Sequence, residues 1–410
     1  MLKTFKDIFH ILEAVSAEIF FGFPSKKIKI IGVTGTDGKT TTTHAIYHFL
    51  KTSGKKVSMI SSIYADIGGK TADTGFHTTT PRPWKIRHFL KQAIDAGSEY
   101  FILETTSHAI AQNRIWGIPF EVAVLTNITR EHTLEHGSFD EYVAVKTSLL
   151  LQANHAIVNA NADIFSQVEK ILRKKGKSFV TFSLNKRDVS FSWNDNYKTK
   201  ITEAFNRENL LGAIACCKTL GLSDEEIYNS LPGFKLPQGR LDIVYDNEFM
   251  VIVDFAHTPN AIEQVLKAVK KDLLKKSGRI IHVFGAASER DDSKRPLMGE
   301  ASGEYADLVI LTEEDYRREN IEHIWSQIAE GLMKKGFEKV SPDHIQNEND
   351  KVFTTVKDRG EAINLGISLA KKEDIVISTG KSHEKSLNRD GVEKPWDEYE
   401  AIKSALESKN

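Results

Sequence analysis

The chain has 410 residues, of which 40% are hydrophobic and 27% are charged, and its formal net charge is −1. This length accommodates two or three domains, and the near-zero charge excludes a global field that would attract nucleic acid or an anionic membrane. The two cysteines, Cys216 and Cys217, are too few for a zinc site and indicate buried thiols in a reducing compartment.

The first 27 residues predict an amphipathic helix that packs on the first domain. Asp7, Glu13 and Glu18 interrupt its apolar residues, and no uncharged core with a small-residue cleavage site follows, so the segment does not read as a signal peptide. No uncharged apolar run in the chain reaches membrane-spanning length. We therefore expect a cytoplasmic protein that binds neither nucleic acid nor membrane.

Residues 28–236 alternate between buried strands and amphipathic helices. The predicted strands are KIIGV, VSMISS, YFILET, EVAVLTNI, HAIVNA and SFVTFS. The helices between them are THAIYHFLKTSG, PWKIRHFLKQAIDAG, FDEYVAVKTSLLLQ and DIFSQVEKILRKKG, and a helical stretch from FNRENLLGAIACCKTLG follows. Because buried strands that alternate with helices form parallel sheets, this region predicts an α/β domain with a mostly parallel sheet.

A second α/β domain is predicted for residues 237–410. The stretch PGFKLPQGRLD concentrates proline and glycine, which indicates a domain boundary near residue 236. Beyond it the strands FMVIVDFA, RIIHVFGA, DLVILTEE and DIVISTG alternate with helices. The expected organisation is a helical segment at 1–27, a central domain at 28–236 and a Rossmann-like C-terminal domain at 237–410.

The stretch IGVTGTDGKTTTTH carries the strongest sign of chemistry. A strand leads into a glycine turn, then Lys39 and Thr40, then a helix, which is the context of a phosphate-binding loop. In that context Lys39 reaches the β- and γ-phosphates and the Thr40 hydroxyl binds Mg²⁺. The common pattern G-x-x-x-x-G-K-[ST] is not met, because Val33 stands at its first glycine.

The phrase TGTDGKTTTT resembles the ATP loop of the Mur ligase family, whose typical form is TGTNGKTTT. The resemblance extends in order over residues 28–386 and is closest to the MurE type, the muramoyl-tripeptide synthetases. Its further motifs are HTTTP, ETTSHAIAQNRIWGIPFEVAVLTNITREHTLEHG, FNRENLLGAIA, QGRLDIV, VIVDFAHTPNAIEQVL, GAASERDDSKRPLMGEAS and STGKSHE. The family implies a central P-loop ATPase domain followed by a Rossmann-like α/β domain.

The resemblance implies an ATP site, a catalytic set and two Mg²⁺ sites. The implied ATP-binding residues are Gly35, Thr36, Asp37, Gly38, Lys39, Thr40, Thr41, Asn206, Asn209, Arg240 and Asp254. The implied catalytic residues are Lys39, His132, Lys146 and His257, and the implied metal ligands are Thr40, Glu104, His132 and Lys146. Asn127 and His136 are further candidates on loops. The family's usual Asp-His is Glu131-His132 here, and its usual tyrosine is Phe255.

Four of these residues also have a purely structural interpretation. Lys146 lies in a helical pattern, where a lysine commonly extends its amine to solvent; in related ligases the lysine at this point is carbamylated and helps to hold the second Mg²⁺. Glu104 could be an exposed acid at a strand end. Asn206 and Asn209 could cap a helix.

The resemblance also implies two substrate sites. Thr78, Thr79, Ser107, Gln112 and Arg114 match residues that contact the muramoyl-peptide acceptor. Arg295, Asp315, Arg317, Gly380 and Glu384 fall on the amino-acid side. The diaminopimelate motif D-N-P-R is replaced by EEDYR at 313–317. A retained arginine can clamp a carboxylate and Glu384 can hold an ammonium, so we expect a diamino acid, either diaminopimelate or lysine.

The implied reaction is activation of a carboxylate by ATP to an acyl phosphate, followed by attack of an amine. Fewer than thirty residues precede the ATP-loop strand, so we expect no N-terminal uridine-binding domain. Three alternatives stay open: a Mur-like ligase with another acceptor, a folylpolyglutamate-type ligase, whose loop normally reads GKGS, and a non-catalytic nucleotide-binding homologue. Amino-acid-dependent ADP release distinguishes the last from the ligases.

Overall fold

The computed structural model describes residues 2–75, 79–129, 138–289, 291–345 and 351–409, with side chains from Phe9 onward. The described chain divides into two compact units, Met1–Lys235 and Leu236–Asn410. Each unit is an α/β structure with its own sheet.

The first unit is built on a nine-stranded sheet in the order β4-β3-β2-β5-β1-β6-β7-β8-β9. Pairing is parallel from β2 to β9, and β3 and β4 add an antiparallel edge. The strands are β1 Lys29–Thr34, β2 Val57–Ile60, β3 Ala65–Ile67, β4 Lys70–Ala72, β5 Tyr100–Glu104, β6 Phe120–Leu125, β7 His155–Asn159, β8 Phe179–Ser183 and β9 Phe191–Ser192. The six strands predicted for this region are all present, and they carry the core.

The helices of the first unit cover this sheet. They are α1 Leu2–Phe20, α2 Lys39–Thr52, α3 Pro83–Asp95, α4 Ser107–Ala111, α5 Phe139–Gln152, α6 Phe165–Lys174, α7 Ala204–Thr219 and α8 Asp224–Ser230. Short 3₁₀ turns occur at Pro24–Lys26 and Leu231–Gly233. Local sequence fixes several starts: the Ser138 hydroxyl accepts the Glu141 amide at the start of α5, and Ser223 forms a capping box with Glu226 at α8.

The predicted packing of the N-terminal helix on the first unit is confirmed. The buried guanidinium of Arg87, on α3, donates from Nε to Glu18 Oε1 of α1 at 3.0 Å. The same guanidinium donates to the carbonyls of Arg114 and Trp116, each at 2.6 Å. Arg87 therefore ties α1 to the segment that precedes β6.

The second unit has a seven-stranded sheet in the order β10-β11-β16-β12-β13-β15-β14, parallel except for the β10–β11 pair. The strands are β10 Asp242–Asp246, β11 Met250–Asp254, β12 Ile280–Phe284, β13 Leu308–Leu311, β14 Glu338–Lys339, β15 Val352–Thr355 and β16 Ile375–Thr379. The hairpin β17 Ser386–Arg389 and β18 Val392–Pro395 stands apart from that sheet. The helices are α9 Pro259–Ala268, α10 Lys294–Tyr305, α11 Ile321–Lys334, α12 Arg359–Leu369 and α13 Glu398–Lys409, with a π-helical turn at Val269–Leu273 and a 3₁₀ turn at Pro342–His344.

The predicted fold class, a mostly parallel α/β unit followed by a Rossmann-like α/β unit, is confirmed. Several short strands were not predicted, namely β3, β4, β9, β10, β14, β15, β17 and β18. Most of them are short, lie at sheet edges or form hairpins, where hydrophobic runs are weak signals. Within the described residues, no helix is both long enough and apolar enough to cross a bilayer.

Candidate active site

The glycine loop connects β1 to α2 at the carboxyl edge of the first sheet. Two of its glycines are required by close approach. A Cβ on Gly38, whose φ is +80°, would lie 2.1 Å from Asn209 Oδ1, and a Cβ on Gly35 would lie 1.8 Å from Thr126 Oγ1. The predicted loop is therefore a tight turn against α7 on one side and the end of β6 on the other.

Hydrogen bonds from loop amides to Asn127 hold the loop in shape. Asn127, just beyond β6, accepts the Asp37 amide on its side-chain oxygen and the Thr36 amide on its carbonyl, both at 2.9 Å. The N-cap residue of α2 is Gly38, which has no side chain with which to cap the first amides of that helix. Such a helix start is suited to bind an anion.

Lys39 is the first residue of α2 and turns back over the loop. Its Nζ donates to the Thr36 carbonyl at 2.7 Å, and the side chain is half-buried. The ammonium therefore lies over the glycine turn, where the phosphate of a nucleotide is expected.

Thr40, Ser62 and Glu104 form a compact cluster of oxygens. Thr40 Oγ1 lies 3.0 Å from Glu104 Oε1 and 2.9 Å from Ser62 Oγ, and the Ser62 amide donates to Glu104 Oε2 at 2.9 Å. Glu104 ends β5, pairs in register with Val33 of β1 and is 1% exposed, so the interpretation as an exposed strand-end acid is wrong. Hydroxyl and carboxylate oxygens at this spacing fit the ligand preference of Mg²⁺.

Histidine and cysteine do not add to this cluster in the described part of the chain, where no group of three His, Cys, Asp or Glu side chains could hold a metal. The predicted metal-binding His132 lies outside the described residues, as do His136 and Thr78. The oxygen cluster is therefore the part of the predicted metal site that the structure describes.

Lys146 is buried beside the loop. It lies on α5, is 2% exposed, donates from Nζ to the Gly35 carbonyl at 2.6 Å and stands 4.6 Å from the Tyr142 ring centre. The Tyr142 hydroxyl in turn lies 3.1 Å from Thr36 Oγ1. The interpretation of Lys146 as a solvent-directed surface lysine is wrong, because helix α5 points it at the glycine loop.

Asn206 and Asn209 are buried on α7. The N-cap of that helix is Glu203, so neither asparagine is its cap residue. Asn209 faces Gly38 at the distance given above, while Asn206 Nδ2 donates to Glu203 Oε2 at 3.4 Å. Asn209 therefore belongs to the loop, and Asn206 lies one turn earlier on the same helix.

The predicted acceptor residues of the first unit gather beyond β5. Arg114 donates from Nη1 to the Thr80 carbonyl at 2.6 Å and from Nε and Nη2 to Gln112 Oε1 at 3.0 and 2.7 Å. The Thr80 hydroxyl donates to the Glu104 carbonyl at 2.8 Å, which links this group to the metal-site cluster. Burial and the nearby Arg82 lower the pKa of Arg114. Ser107 is buried at the start of α4, and Thr79 is half-buried.

In the second unit, Asp254 ends β11 and is buried. Its carboxylate accepts the amides of Leu241 and Ala256 at 2.6 and 2.7 Å. The Arg240 guanidinium lies 4.7 Å from the centre of the Phe255 ring. His257 Nδ1 is 2.9 Å from the Phe255 carbonyl, so one ring nitrogen is used by the backbone. These predicted ATP-side residues thus form one group around Phe255.

The predicted amino-acid residues of the second unit surround Lys381. This buried ammonium lies 3.0 Å from Asp315 Oδ1 and 2.5 Å from Glu384 Oε2. Burial acts to lower the pKa of Lys381, but the carboxylates of Glu384 and Asp315 outweigh it and raise that pKa. Gly380, the residue before it, has a φ of +104°, and a Cβ there would lie 2.8 Å from Glu314 Oε2.

Glu314 is the least satisfied group of this site. It is buried, and its Oε2 has no hydrogen-bond partner. Burial and the Asp315 carboxylate raise the pKa of Glu314 to about 7. A buried carboxyl with an unused acceptor next to other carboxylates is suited to accept a hydrogen bond from a cationic ligand.

Arg317 and Arg295 make other contacts. Arg317 has a φ of +47°, donates from Nη1 to the Ser288 carbonyl at 2.5 Å and lies 3.7 Å from Glu289. Arg295 is buried and binds Glu319 through two hydrogen bonds of 2.6 and 2.7 Å. Arg317 borders the group around Lys381 through Asn388. The Asn388 carbonyl accepts the Arg317 amide, and the Asn388 amide donates to Asp315. Arg295, in contrast, is neutralised by Glu319.

Sequence reasoning missed Ser62, Thr80, Glu314 and Lys381. Ser62 follows β2, which ends at the same sheet edge as β5, so the strand alternation held a signal for it. Lys381 and Glu314 stand within the motifs GKSHE and EEDYR, next to residues that were predicted. Their burial and mutual contacts depend on strands β13 and β16 ending at the same sheet edge, one on each side of β12, which sequence alone does not reveal.

Comparison with known proteins gives two family matches. The Mur ligase middle domain matches residues 33–231, and the Mur ligase glutamate ligase domain matches residues 239–382. A relative from Aquifex aeolicus, UDP-N-acetylmuramoyl-L-alanyl-D-glutamate–2,6-diaminopimelate ligase, is 34% identical over 95% of this chain and 80% of its own length. The UDP-N-acetylmuramyl-tripeptide synthetase of Borreliella burgdorferi is 35% identical over 98% of this chain and 81% of its own length.

Solved structures agree with these matches. A UDP-N-acetylmuramoyl-L-alanyl-D-glutamate–2,6-diaminopimelate ligase superposes with a TM-score of 0.58 and 26% identity, over 93% of this chain and 78% of the other. The folylpolyglutamate synthase/dihydrofolate synthase of Yersinia pestis, complexed with AMPPNP and a Mn ion, superposes with a TM-score of 0.70 over 91% of this chain and 90% of the other. Its 19% identity extends the likeness to the fold alone.

Proposed function

This chain belongs to the Mur ligase family, and we propose that it is an ATP-dependent, ADP-forming ligase that joins an amino acid to the carboxylate of a muramoyl-peptide acceptor. The product is a precursor of peptidoglycan. The observation that carries this proposal is the convergence of Lys39, the Thr40–Glu104 pair and buried Lys146 on one glycine loop. We assign the central ligase domain to residues 28–236 and the C-terminal ligase domain to residues 237–410.

The reaction has two bond-forming steps. An oxygen of the acceptor carboxylate attacks the γ-phosphorus of ATP, the bond to ADP breaks, and an acyl phosphate forms. The amine of the amino acid then attacks the acyl carbon, and the carbon–oxygen bond to phosphate breaks. The amine nitrogen gives up one proton to the released phosphate or to water as the amide forms. The chain must therefore bind an anionic nucleotide and hold a carboxylate beside its γ-phosphate.

The glycine loop supplies the nucleotide side. Gly38 and Gly35 allow the backbone to approach the phosphates, and the start of α2 offers amide donors. Lys39 exchanges its bond to the Thr36 carbonyl for the β- and γ-phosphates, where its charge offsets the charge that develops on transfer. Asn206 and Asn209 serve the nucleotide from α7. Arg240, Asp254 and His257 are assigned to nucleotide binding in the second unit from the family resemblance.

The cofactors are ATP and a divalent cation. The oxygens of Thr40, Ser62 and Glu104 are suited to hold Mg²⁺, which when bound compensates phosphate charge. We further propose a second Mg²⁺ site that uses His132 and a carbamylated Lys146. Burial of Lys146 supports this proposal, because a buried amine is more readily neutral and so able to add CO₂.

Carbamylation of Lys146 is tested apart from turnover. Protein equilibrated with carbon-13 bicarbonate should show a carbamate carbon signal by NMR, and Lys146→Ala should lack it. Lys177→Ala, which removes another lysine of the first unit that donates to backbone carbonyls, is the control and should retain the signal. A wild-type spectrum without a carbamate signal would reject the modification and leave the ligase assignment intact.

The second substrate is a diamino acid. Glu384, Asp315 and Glu314 place three carboxyl groups around Lys381, and Glu314 Oε2, which has no hydrogen-bond partner, is an acceptor for an ammonium. Arg317 borders this group. The acceptor is assigned to Thr78, Thr79, Ser107, Gln112 and Arg114, and the amino-acid site is shaped by Arg295 and Gly380.

The test is ADP release with the UDP-linked muramoyl dipeptide as acceptor and lysine or diaminopimelate as amino acid. ADP formation that needs both substrates, with a product of the added mass, is expected; ADP release indifferent to both contradicts the proposal.

A further inference from the structure

Helix α1 places its small residues inward and its large apolar residues outward. Ala14 and Ala17 are fully buried, and Glu18 is buried where it meets Arg87 of α3. An ordinary surface helix turns its large apolar side chains to the core and its polar ones to water. In α1 the described outward face consists instead of Phe9, Leu12, Ser16, Ile19 and Phe20.

Most of these outward residues are large and apolar. Phe9, Leu12, Ile19 and Phe20 each expose between 58% and 72% of their surface, and Trp84 of α3 exposes 40%. The Phe20 and Trp84 rings are 5.4 Å apart between centroids, so Trp84 extends the helix face. We call these five side chains the α1 face. Together they expose on the order of 500 Å², which is as large as the largest patch on a typical monomer.

The spacing of the α1 face fits a helix as its partner. Positions 9, 12, 16 and 19 are separated by three and four residues in turn, which is the a/d pattern of a helix–helix seam. None of the exposed positions between Phe9 and Phe20 carries a charge, and the half-buried Glu13 borders the row. Ser16 stands at one a position and is the polar residue of this row.

We propose that the α1 face pairs with the α1 face of a second copy of this chain, so that the protein is a two-fold dimer. A two-fold contact uses the same patch on both partners, and a patch whose large exposed side chains are all apolar is complementary to itself. The two faces together would bury about 1,000 Å², which reaches the size expected of a specific interface. This inference does not depend on the ligase reaction.

The test is sedimentation equilibrium of the full chain across the micromolar range. The wild type should have twice the mass of one chain, and Leu12→Glu/Ile19→Glu should have the mass of one chain with an unchanged thermal melt, because both side chains are exposed. Leu297→Glu is the matched control: this leucine is 51% exposed on α10 and its replacement should leave the dimer intact. A monomeric wild type, or a double variant that still dimerises, would overturn the proposal.

A second variant should strengthen the dimer instead of weakening it. Ser16→Leu adds an apolar side chain to the centre of the seam and should tighten the dimer by about tenfold or more. Weaker or unchanged association would contradict the helix pairing. Flotation with phosphatidylserine vesicles separates the membrane alternative: wild type that floats while monomeric, and Leu12→Glu/Ile19→Glu that does not float, would reassign the α1 face to a lipid surface.

Discussion

Lys39 is the residue whose charge the proposed chemistry needs most directly. It begins α2, and in this structure its amine is bound only to the Thr36 carbonyl among the contacts described. Lys39→Ala should lower the rate of ADP formation by about 100-fold or more, since one charged donor to the transferred phosphate is lost. Lys51→Ala, at the exposed end of the same helix, should retain activity. Wild-type turnover by Lys39→Ala with an intact melt would remove the loop from the mechanism.

Glu314 should make stability depend on pH. Its folded-state pKa of about 7 lies above the ordinary 4.5, so the folded protein holds a proton that the unfolded chain has lost between those values. Stability from this group is therefore full at low pH and falls as pH rises through the window, by on the order of 3 kcal/mol in all.

The variant Glu314→Gln should remove that dependence, because the amide carries no titrating proton. The free energy of unfolding is measured in urea for both proteins at about pH 5 and about pH 8. The variant's value minus the wild-type value should be larger at about pH 8 than at about pH 5. The same difference between the two proteins at both pH values would show that Glu314 does not titrate in this range.

Arg317 should act on the amino acid and not on ATP. It borders the group around Lys381, where its guanidinium can bind a carboxylate of the amino acid through two hydrogen bonds. Because Arg317→Ala removes that binding free energy, it should raise the KM for the amino acid about tenfold or more. The KM for ATP should stay within the error of the wild-type value. Arg318→Ala, exposed one residue further on, serves as the control. Equal shifts in both constants would place Arg317 outside the amino-acid site.

At the scale of elements, the C-terminal helix α13 depends on one buried ion pair. Arg359 of α12 donates from Nε and Nη2 to the two oxygens of Glu398, at 2.8 and 2.6 Å, and both side chains are inaccessible to solvent. Glu398→Ala should destabilise the second unit by about 3–5 kcal/mol, because it leaves a buried charge uncompensated. The double variant Arg359→Met/Glu398→Leu should recover much of this loss in thermal unfolding. Equal destabilisation by the single and double variants would contradict this cause.

The elements also show where sequence reasoning reaches its limit. Buried parallel strands such as β1 and β5 are continuous apolar runs, so their existence could be predicted. The strand VFTT at Val352–Thr355 is equally buried but is only four residues long, and its place beside β13 depends on tertiary pairing. Periodicity likewise predicts that Lys146 lies on a helix. Its burial against Gly35 is a tertiary contact and could not be derived from periodicity.

At the scale of the whole molecule, the family and the order of the two α/β units follow from the sequence, and the matches to the Mur ligase middle and glutamate ligase domains confirm that recognition. The contacts within the sites, such as those that bring Ser62 to Thr40 and Glu104 in the metal-site cluster, are seen only in the structure. The central claim is that these groups serve carboxylate activation by ATP, which makes a distinct isotopic prediction.

The most direct measurement uses an acceptor whose terminal carboxylate is labelled with oxygen-18. Because the acceptor oxygen attacks the γ-phosphorus and the carbon–oxygen bond later breaks, one label should appear in the phosphate released during amide formation. The phosphate is analysed by mass spectrometry, with Lys39→Ala as the control that should release little or none. Labelled phosphate in step with product would support the acyl-phosphate route. Amide product accompanied by unlabelled phosphate would contradict it.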